Sequence, residues 1–291
     1  MHATRKLWTW LAVICALSFA VLGWVGGEIY LAAPPIPQRV VTSADQVLFG
    51  PGEIERGQQA WLASGGQQLG SVWGHGSYVA PDWSADWLHR ETVALREIWA
   101  QQDFGRDFGD LQPEQQAVVQ ARTLAEMRRN TFDAASGTLR LSPARAQAVQ
   151  QVADHYRALF GDDAALDRLR EQYAMQSGVL PNAEDRQALA GFVFWSAWAA
   201  AADRPGEPGL SYTSNWPHEP LVGNTPTAGT GIWSIASVIL MIGAIAAMVF
   251  VHARGHEEAD PTPPKADPLF TLQPTPSMRA TRQYFHVVLG L

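Results

Sequence analysis

Residues 7–33 read LWTWLAVICALSFAVLGWVGGEIYLAA, an apolar run with a single charged side chain, Glu28, close to its end. A bilayer core about 30 Å thick needs roughly 20 apolar helical residues, so the run predicts a membrane-spanning helix. Aromatic rings toward both ends and a preceding basic pair are typical of such a helix: Trp8, Trp10, Trp24, Tyr30, Arg5 and Lys6. The alternative is a cleaved signal peptide, whose apolar region is usually shorter. The length of the run favours an uncleaved anchor.

A second run, GIWSIASVILMIGAIAAMVFV at 231–251, carries no charge and precedes Arg254. A buried core helix is the alternative, but such a helix usually shows one polar face. If the first helix runs from the cytoplasmic side outward, the second must cross the membrane in the opposite direction. That direction places Arg254 on the same side as Arg5 and Lys6, as the positive-inside rule requires.

The two runs divide the chain into five predicted segments. They are an anchor at 1–33, an extracytoplasmic domain at 34–229, a second membrane helix at 230–252, a cytoplasmic Pro-rich linker at 253–278 and the start of a further membrane helix at 279–291. Six prolines between 255 and 277 predict that the linker is extended. Residues 284–291 are too few to cross a bilayer, so we expect either a fragment or an end that docks superficially.

Composition excludes several classes of protein. The 291 residues are 17% charged with a formal net charge of -7 and no lysine or arginine run, which argues against nucleic-acid binding. Cys15 is the one cysteine. A single cysteine cannot form an internal disulfide, a two-thioether haem attachment or a Cys-rich zinc site.

Helical patterns dominate the domain at 34–229. Pro113 precedes a helix predicted over 114–129, Ser142 caps a second one, and Asn182 caps a third. The third has an apolar side formed by Leu189, Phe192, Trp195 and Trp198. Period-two alternation is nowhere long enough to predict a substantial sheet, so we expect a mainly α domain with long loops.

Two segments are predicted to be loops. Residues 65–83, GGQQLGSVWGHGSYVAPDW, contain five glycines that permit positive φ and close approach of another group, so we expect something to pack against them. Residues 212–224, YTSNWPHEPLVGN, contain two prolines and precede the second membrane helix. The second loop is therefore expected at the membrane surface, either as a plain interfacial loop or in contact with a partner domain.

The sequence alone shows no set of residues that is typical of a catalytic site. No histidine pair has the spacing of a helical metal site, and a metal site would require the fold to gather His75, His89, His218 and Glu219. Hydrogen-bonded or surface histidines are the default expectation. Three acids near the end of the first loop are either helix-start residues or active groups: Asp82, Asp86 and Glu91.

Three stretches together carry a family resemblance: GGQQLGSVWGHGSYVAPDWSADWLHRE at 65–91, YTSNWPHEPLVGN at 212–224 and RATRQYFHVV at 279–288. They resemble the N-terminal part of quinol-dependent nitric oxide reductase, a single-chain member of the haem-copper oxidase superfamily, over essentially the whole chain. The resemblance implies a mainly α membrane protein in which transmembrane helices bracket a cytochrome-c-like extracytoplasmic domain that lacks haem c.

The loss of haem c is implied at particular positions. In the related two-subunit enzyme, a Cys-x-x-Cys-His motif precedes a Gly-x-Gly-x-Tyr-x-Ala-Pro loop. Aligning that loop on 74–81 puts Gly66, Leu69 and Gly70 where the two cysteines and the histidine would be. Without those ligands the domain cannot accept electrons from a soluble cytochrome through a covalent haem. Electrons must then enter by another route, and the resemblance implies a membrane quinol as their source.

The resemblance also implies an activity and a location. Two NO, two electrons and two protons would give N2O and water at a haem b3/non-haem iron centre, with electrons arriving through haem b. Their ligands are expected outside this chain, which alone should be inactive and should cap the catalytic domain. The expected partners are quinol, the catalytic transmembrane domain, the lipid bilayer and, in a homodimer, a second copy. Residues 34–229 would lie on the periplasmic side of a bacterial inner membrane.

One metal site is implied by the resemblance. Main-chain oxygens at Gly76 and Tyr78 would help to bind a calcium ion that bridges this domain and the catalytic part. Carbonyls in a glycine-containing loop suit calcium, which takes six to eight oxygens. The alternative is a packing loop without an ion.

A two-helix membrane receptor with an extracytoplasmic ligand-binding domain is the rival function. A receptor is expected to continue inside as a coiled coil that transmits the signal. The proline-rich segment that follows residue 254 has no heptads, which disfavours this reading.

Overall fold

A computed structural model describes residues 2–257 of the chain. The rest of the Pro-rich linker and the predicted further membrane helix at 279–291 lie outside the described residues. The chain divides into two compact units, 1–230 and 231–291.

Helices account for most of the described residues. They are α1 (His2–Leu31), α2 (Glu53–Ala63), α3 (Trp83–Phe104), α4 (Pro113–Arg128), α5 (Pro143–Leu159), α6 (Asp167–Gln172), α7 (Ala183–Ala201) and α8 (Ala228–Glu257). The predicted mainly α class is confirmed, and the predicted proline and cap signals mark the starts of α4, α5 and α7.

The two apolar runs are helical, as predicted. Trp8–Leu31 in α1 and Gly231–His252 in α8 are each long and apolar enough to cross a membrane. Large apolar side chains are exposed along both of them, for example Phe19 and Leu240. Exposed apolar side chains all round a helix suit a lipid environment.

The strands are short and form two small sheets. The larger has the order β2 (Val47–Phe49), β1 (Arg39–Thr42), β4 (Thr138–Leu141) and β3 (Phe132–Asp133), with β1 and β4 parallel and the other pairs antiparallel. The second is a hairpin of β5 (Asp203–Arg204) and β6 (Glu207–Ser211). Strands of two to five residues agree with the expectation that the domain contains no substantial sheet.

The core of the domain surrounds α7. Residues 188–201 of this helix are all buried, whereas the sequence pattern predicted a single apolar side. The difference arises because α2, α3 and α5 all pack against α7. Close approach of α2 requires Gly57, since a Cβ there would lie 2.0 Å from the Ala188 carbonyl oxygen.

A buried ion pair ties three helices together. The Glu91 carboxylate on α3 accepts a hydrogen bond from Nε of Arg145 on α5 at 2.8 Å, and both side chains are buried. Glu91 also accepts from the Trp87 indole at 2.9 Å, while Arg145 donates to the Glu126 carbonyl of α4 at 3.2 Å. Glu91 is therefore neither a helix-start acid nor an active group, because it neutralises a buried guanidinium.

We predict that Glu91→Ala lowers the free energy of unfolding by about 3–5 kcal/mol, because the change leaves the buried Arg145 charge unpaired. Glu184→Ala is the matched control. It removes an exposed pair with Arg56 and should cost about 1 kcal/mol or less. Urea denaturation of the chain in detergent, followed by tryptophan fluorescence, measures both. Equal losses for the two variants would contradict the role of the pair.

Candidate functional site

The predicted loop at 65–83 is organised around one carboxylate, that of Asp82. Asp82 caps α3 by accepting a hydrogen bond from the Ala85 N–H at 2.9 Å. The same carboxylate accepts from the Gly74 N–H at 2.6 Å, from the Ser71 hydroxyl at 2.7 Å and from the Ser84 hydroxyl. The helix-start reading of Asp82 is confirmed, and its wider role in the loop was not predicted.

The two serines carry this network further along the loop. The Ser71 hydroxyl accepts from the Gly76 N–H at 2.7 Å, and the Ser84 hydroxyl accepts from the Trp73 N–H at 3.1 Å. A Cβ at Gly74 would lie 2.7 Å from the Ser71 oxygen, so the loop closes this tightly only with glycine at that position. The predicted need for close approach is confirmed here.

Two neighbours pack against the loop, as the glycines predicted. The Trp73 indole donates to the Ser196 carbonyl of α7 at 2.8 Å, and its ring lies 5.3 Å from that of Trp195. On another side, the Trp216 indole donates to the Gly74 carbonyl at 3.0 Å. The loop at 65–83 is thus fixed between α7 and the segment at 212–224.

The segment at 212–224 is itself held by α3 and α4. Glu219 lies 2.9 Å from Nδ1 of His89, and Arg128 donates to the carbonyls of Val222 and Gly223 at 3.0 and 3.1 Å. Residues 220–222 form one 3-10 turn. The segment therefore connects the start of α8 to the loop at 65–83.

The four candidate metal ligands do not converge. Of that group, His89 contacts only Glu219. His218 forms a hydrogen bond through Nδ1 with the Asn224 carbonyl at 2.7 Å. The ring centroids of His75 and Trp216 lie 4.7 Å apart. Within residues 2–257, no three metal-ligating side chains gather in one place. The default expectation of hydrogen-bonded histidines is confirmed for His89 and His218.

Among the positions aligned with the haem motif, Gly70 has no room for a ligand side chain. Gly66 and Gly70 have φ values of 53° and 145°, which side chains rarely adopt. A Cβ at Gly70 would lie 2.3 Å from Nε1 of Trp83 and 2.8 Å from the Pro81 carbonyl oxygen. An imidazole at this position would require Trp83, which is fully buried, to leave the core.

Trp83 belongs to an aromatic cluster beneath the loop. Its ring lies 6.0, 5.3 and 5.8 Å from those of Tyr156, Phe160 and Tyr173. The Tyr156 hydroxyl contacts the Asp86 carboxylate at 2.9 Å. Burial, followed by the charge of Asp86, raises the pKa of Tyr156 well above its ordinary value, so this phenol stays protonated. The sequence analysis placed Trp83 at the end of a loop and did not predict that its side chain lies in the core.

The tip of the loop contains the two predicted calcium ligands. Gly76 has a φ of 83°, and a Cβ there would lie 2.9 Å from the Ala80 carbonyl oxygen. The Tyr78 side chain is fully exposed. Neither carbonyl oxygen, of Gly76 or of Tyr78, accepts a hydrogen bond from the described residues. The nearby Asp82 carboxylate is engaged by four donors, so an ion at the tip of the loop would meet main-chain oxygens such as these two and not this carboxylate.

We predict that Asp82→Ala costs about 2–4 kcal/mol of stability. The change removes a helix cap and leaves the half-buried Gly74 N–H without an acceptor. It should also make the loop at 65–83 sensitive to limited proteolysis.

Asp163→Ala is the control, because Asp163 accepts a single capping hydrogen bond, from the Ala165 N–H, at an exposed site. Its cost should be about 1 kcal/mol. Thermal unfolding and mass spectrometry of the cleavage products measure the two effects. Protection of the loop in the Asp82→Ala variant would show that other contacts suffice.

Comparison with known proteins identifies the domain. The family model for the NorB cytochrome c-like domain of nitric oxide reductase matches residues 37–218. No curated protein matches the chain. The matched residues contain the whole loop at 65–83 and all helices from α2 to α7, and they make up more than half of the chain. The chain therefore belongs to the NorB family of nitric oxide reductases and carries its cytochrome c-like domain.

Proposed function

We propose that the chain is the N-terminal region of a quinol-dependent nitric oxide reductase. In this role, residues 34–229 cap the catalytic domain on the periplasmic side of a bacterial inner membrane. The complete enzyme converts two NO, two electrons and two protons to N2O and water. Family membership supports the reductase activity, and the residues at 66–70 support a quinol as the electron donor.

The single observation that carries the quinol assignment is the lack of haem ligands at 66–70, together with the lack of space for a side chain at Gly70. A c-type haem needs two cysteine thioethers and an axial histidine in this motif. Glycine and leucine stand there instead, and Trp83 fills the volume next to Gly70. The one cysteine, Cys15, lies in α1. Haem c therefore does not fit this cytochrome c-like domain.

A domain without this haem cannot relay electrons from a soluble cytochrome. The donor must reach the catalytic part by another route, and a quinol dissolved in the bilayer is available to a protein with two membrane-spanning helices. Haem b, haem b3 and non-haem iron would supply the electron transfer and NO reduction. None of their ligands is assigned to a residue of this chain, whose own part is to hold the loop at 65–83 rigid above the catalytic domain.

The electron donor can be tested with the complete enzyme purified from membranes. We expect a reduced quinol analogue to support NO consumption at a rate at least ten times that with reduced soluble cytochrome c. Denaturing gels stained for haem peroxidase activity should show no haem covalently bound to the polypeptide. Comparable rates with the two donors, or a haem-stained band, would refute quinol dependence.

Calcium at Gly76 and Tyr78 forms a second part of the proposal. Two carbonyl oxygens without donors among the described residues, held by a glycine-dependent turn, suit a hard cation. Because calcium takes six to eight oxygens, the remaining ligands must come from the catalytic part or from water. The ion would then join the cap to the catalytic domain.

We predict that a calcium chelator lowers the Tm of the complete enzyme and that added Ca²⁺ restores it. Gly76→Ala should abolish this response, because the new Cβ meets the Ala80 carbonyl and displaces the main chain. Tyr78→Phe should retain it, since only the main-chain oxygen of residue 78 would bind the ion. A Tm that does not respond to chelator in the unaltered enzyme would contradict the site while leaving the quinol assignment intact.

A further inference from the structure

A polar groove lies between the end of α4 and the start of α5. It consists of two adjoining cavities of about 350 and 390 Å³ that share three lining residues, Glu126, Arg129 and Ser142. The β3–β4 hairpin forms the other wall of the first cavity, and α3 forms the other wall of the second. Cavities of this size can hold a small organic molecule. We call the two cavities together the α4–α5 groove.

The α4–α5 groove contains a carboxylate that lacks hydrogen-bond donors, that of Glu126. Glu126 is 8% exposed, yet its side chain accepts no hydrogen bond from the part of the chain that the structure describes. Arg129 lies beside it with 3.5 Å between Nη1 and Oε2, which is longer than a good charged hydrogen bond. Burial of a carboxylate without donors is costly. Glu126 therefore favours a ligand that brings N–H or O–H donors into the groove.

Hydrogen-bond donors lie next to this carboxylate. The Arg129 guanidinium is 61% exposed and donates no hydrogen bond within the described residues. The Ser142 hydroxyl accepts from the Arg145 N–H, while its own O–H and the Ala144 N–H have no acceptor in the same part of the chain. Ser142 caps α5 and Ala144 lies in its first turn, where the helix dipole favours a negative group. These donors suit the carboxylate of a ligand.

We propose that the α4–α5 groove binds a zwitterionic α-amino acid with a polar side chain. The ammonium group of the ligand donates to Glu126, and its carboxylate accepts from Arg129, the Ser142 hydroxyl and the Ala144 N–H. In an α-amino acid the nitrogen lies about 2.5 Å from the carboxyl carbon. Its opposite charges are therefore about as close together as those of Glu126 and Arg129, so one ligand can pair with both side chains at once.

The first cavity selects a polar side chain. Its wall opposite α4 presents hydroxyl and charged groups: Ser43, Thr131, Asp133, Thr138 and Arg140. A side chain that both donates and accepts hydrogen bonds, such as the amide of glutamine, suits this wall, whereas an apolar side chain would displace water without replacing its hydrogen bonds. A peptide separates its ammonium and carboxylate groups along the chain, so the expected ligand is the amino acid itself.

Equilibrium dialysis of radiolabelled L-glutamine against the complete protein in detergent tests the proposal. Unlabelled competitors then identify which groups of the ligand are recognised. N-acetyl-L-glutamine lacks the ammonium group and L-glutamine amide lacks the carboxylate, so each should compete at least about tenfold more weakly than L-glutamine. L-leucine, which has an apolar side chain, and glycyl-L-glutamine, which separates the two charges, should also compete more weakly.

Substitutions in the groove test the protein side of the contact. Glu126→Gln and Arg129→Gln should each lower the affinity for L-glutamine at least about tenfold, because each removes one charged partner of the ligand. Arg168→Gln is the matched control. It removes an exposed guanidinium on α6, outside the groove, and should leave the affinity unchanged. Circular dichroism checks the fold of each variant, and the exposed Arg129→Gln suffices for the test if Glu126→Gln does not fold.

Several results would overturn the proposal. They are a lack of saturable L-glutamine binding by the unaltered protein, equal competition by L-glutamine and its two derivatives, and equal affinities of the Arg129→Gln and Arg168→Gln variants. Stronger competition by glycyl-L-glutamine than by L-glutamine would also overturn it, because the groove would then recognise a peptide rather than a single amino acid.

Discussion

The cytochrome c-like domain depends on the carboxylate of Asp82. This carboxylate caps the first turn of α3 and closes the glycine-containing loop at 65–83. Its two oxygens accept hydrogen bonds from four donors. Its neighbour Trp83 occupies the volume beside Gly70, so the same turn that builds the loop also fills the place where an axial ligand would stand. Loop geometry and the absence of room for a haem therefore have a common structural origin at residues 82 and 83. In a cytochrome, by contrast, the porphyrin itself would organise the surrounding loop.

Much of this architecture could be predicted from local sequence. The apolar runs near the two ends, the cap residues Ser142 and Asn182, and the glycines of the loop act through neighbours within a few residues, and the structure agrees with each. The glycines were informative because the local backbone conformation and the space around the Cα atom determine where glycine is required. The calcium assignment at Gly76 and Tyr78 stays a prediction, because two main-chain oxygens alone do not make up the six to eight oxygens that calcium takes.

Other features required the tertiary structure. The partner of Glu91 is 54 residues away, and no local pattern distinguishes a buried ion pair from an acid near the start of a helix. Burial of α7 on every side follows from three helices that surround it, whereas an apolar pattern alone suggested one buried side. The exposure of Val118 and Leu124 on α4 was missed for the opposite reason. Alanines and valine in a helix look like core residues until the packing shows that Val119 and Met127 fill that role.

The parallel pairing of β1 with β4 has a consequence for biosynthesis. Arg39–Thr42 emerges directly after the anchor, yet its partner strand is Thr138–Leu141, about a hundred residues later. During synthesis, β1 can pair early with β2, but its other edge stays unpaired until that distant stretch has been made. Long-range pairing of this kind is slow and leaves strand edges open to wrong partners. The larger sheet can therefore be completed only after about a hundred residues beyond β1 have been synthesised.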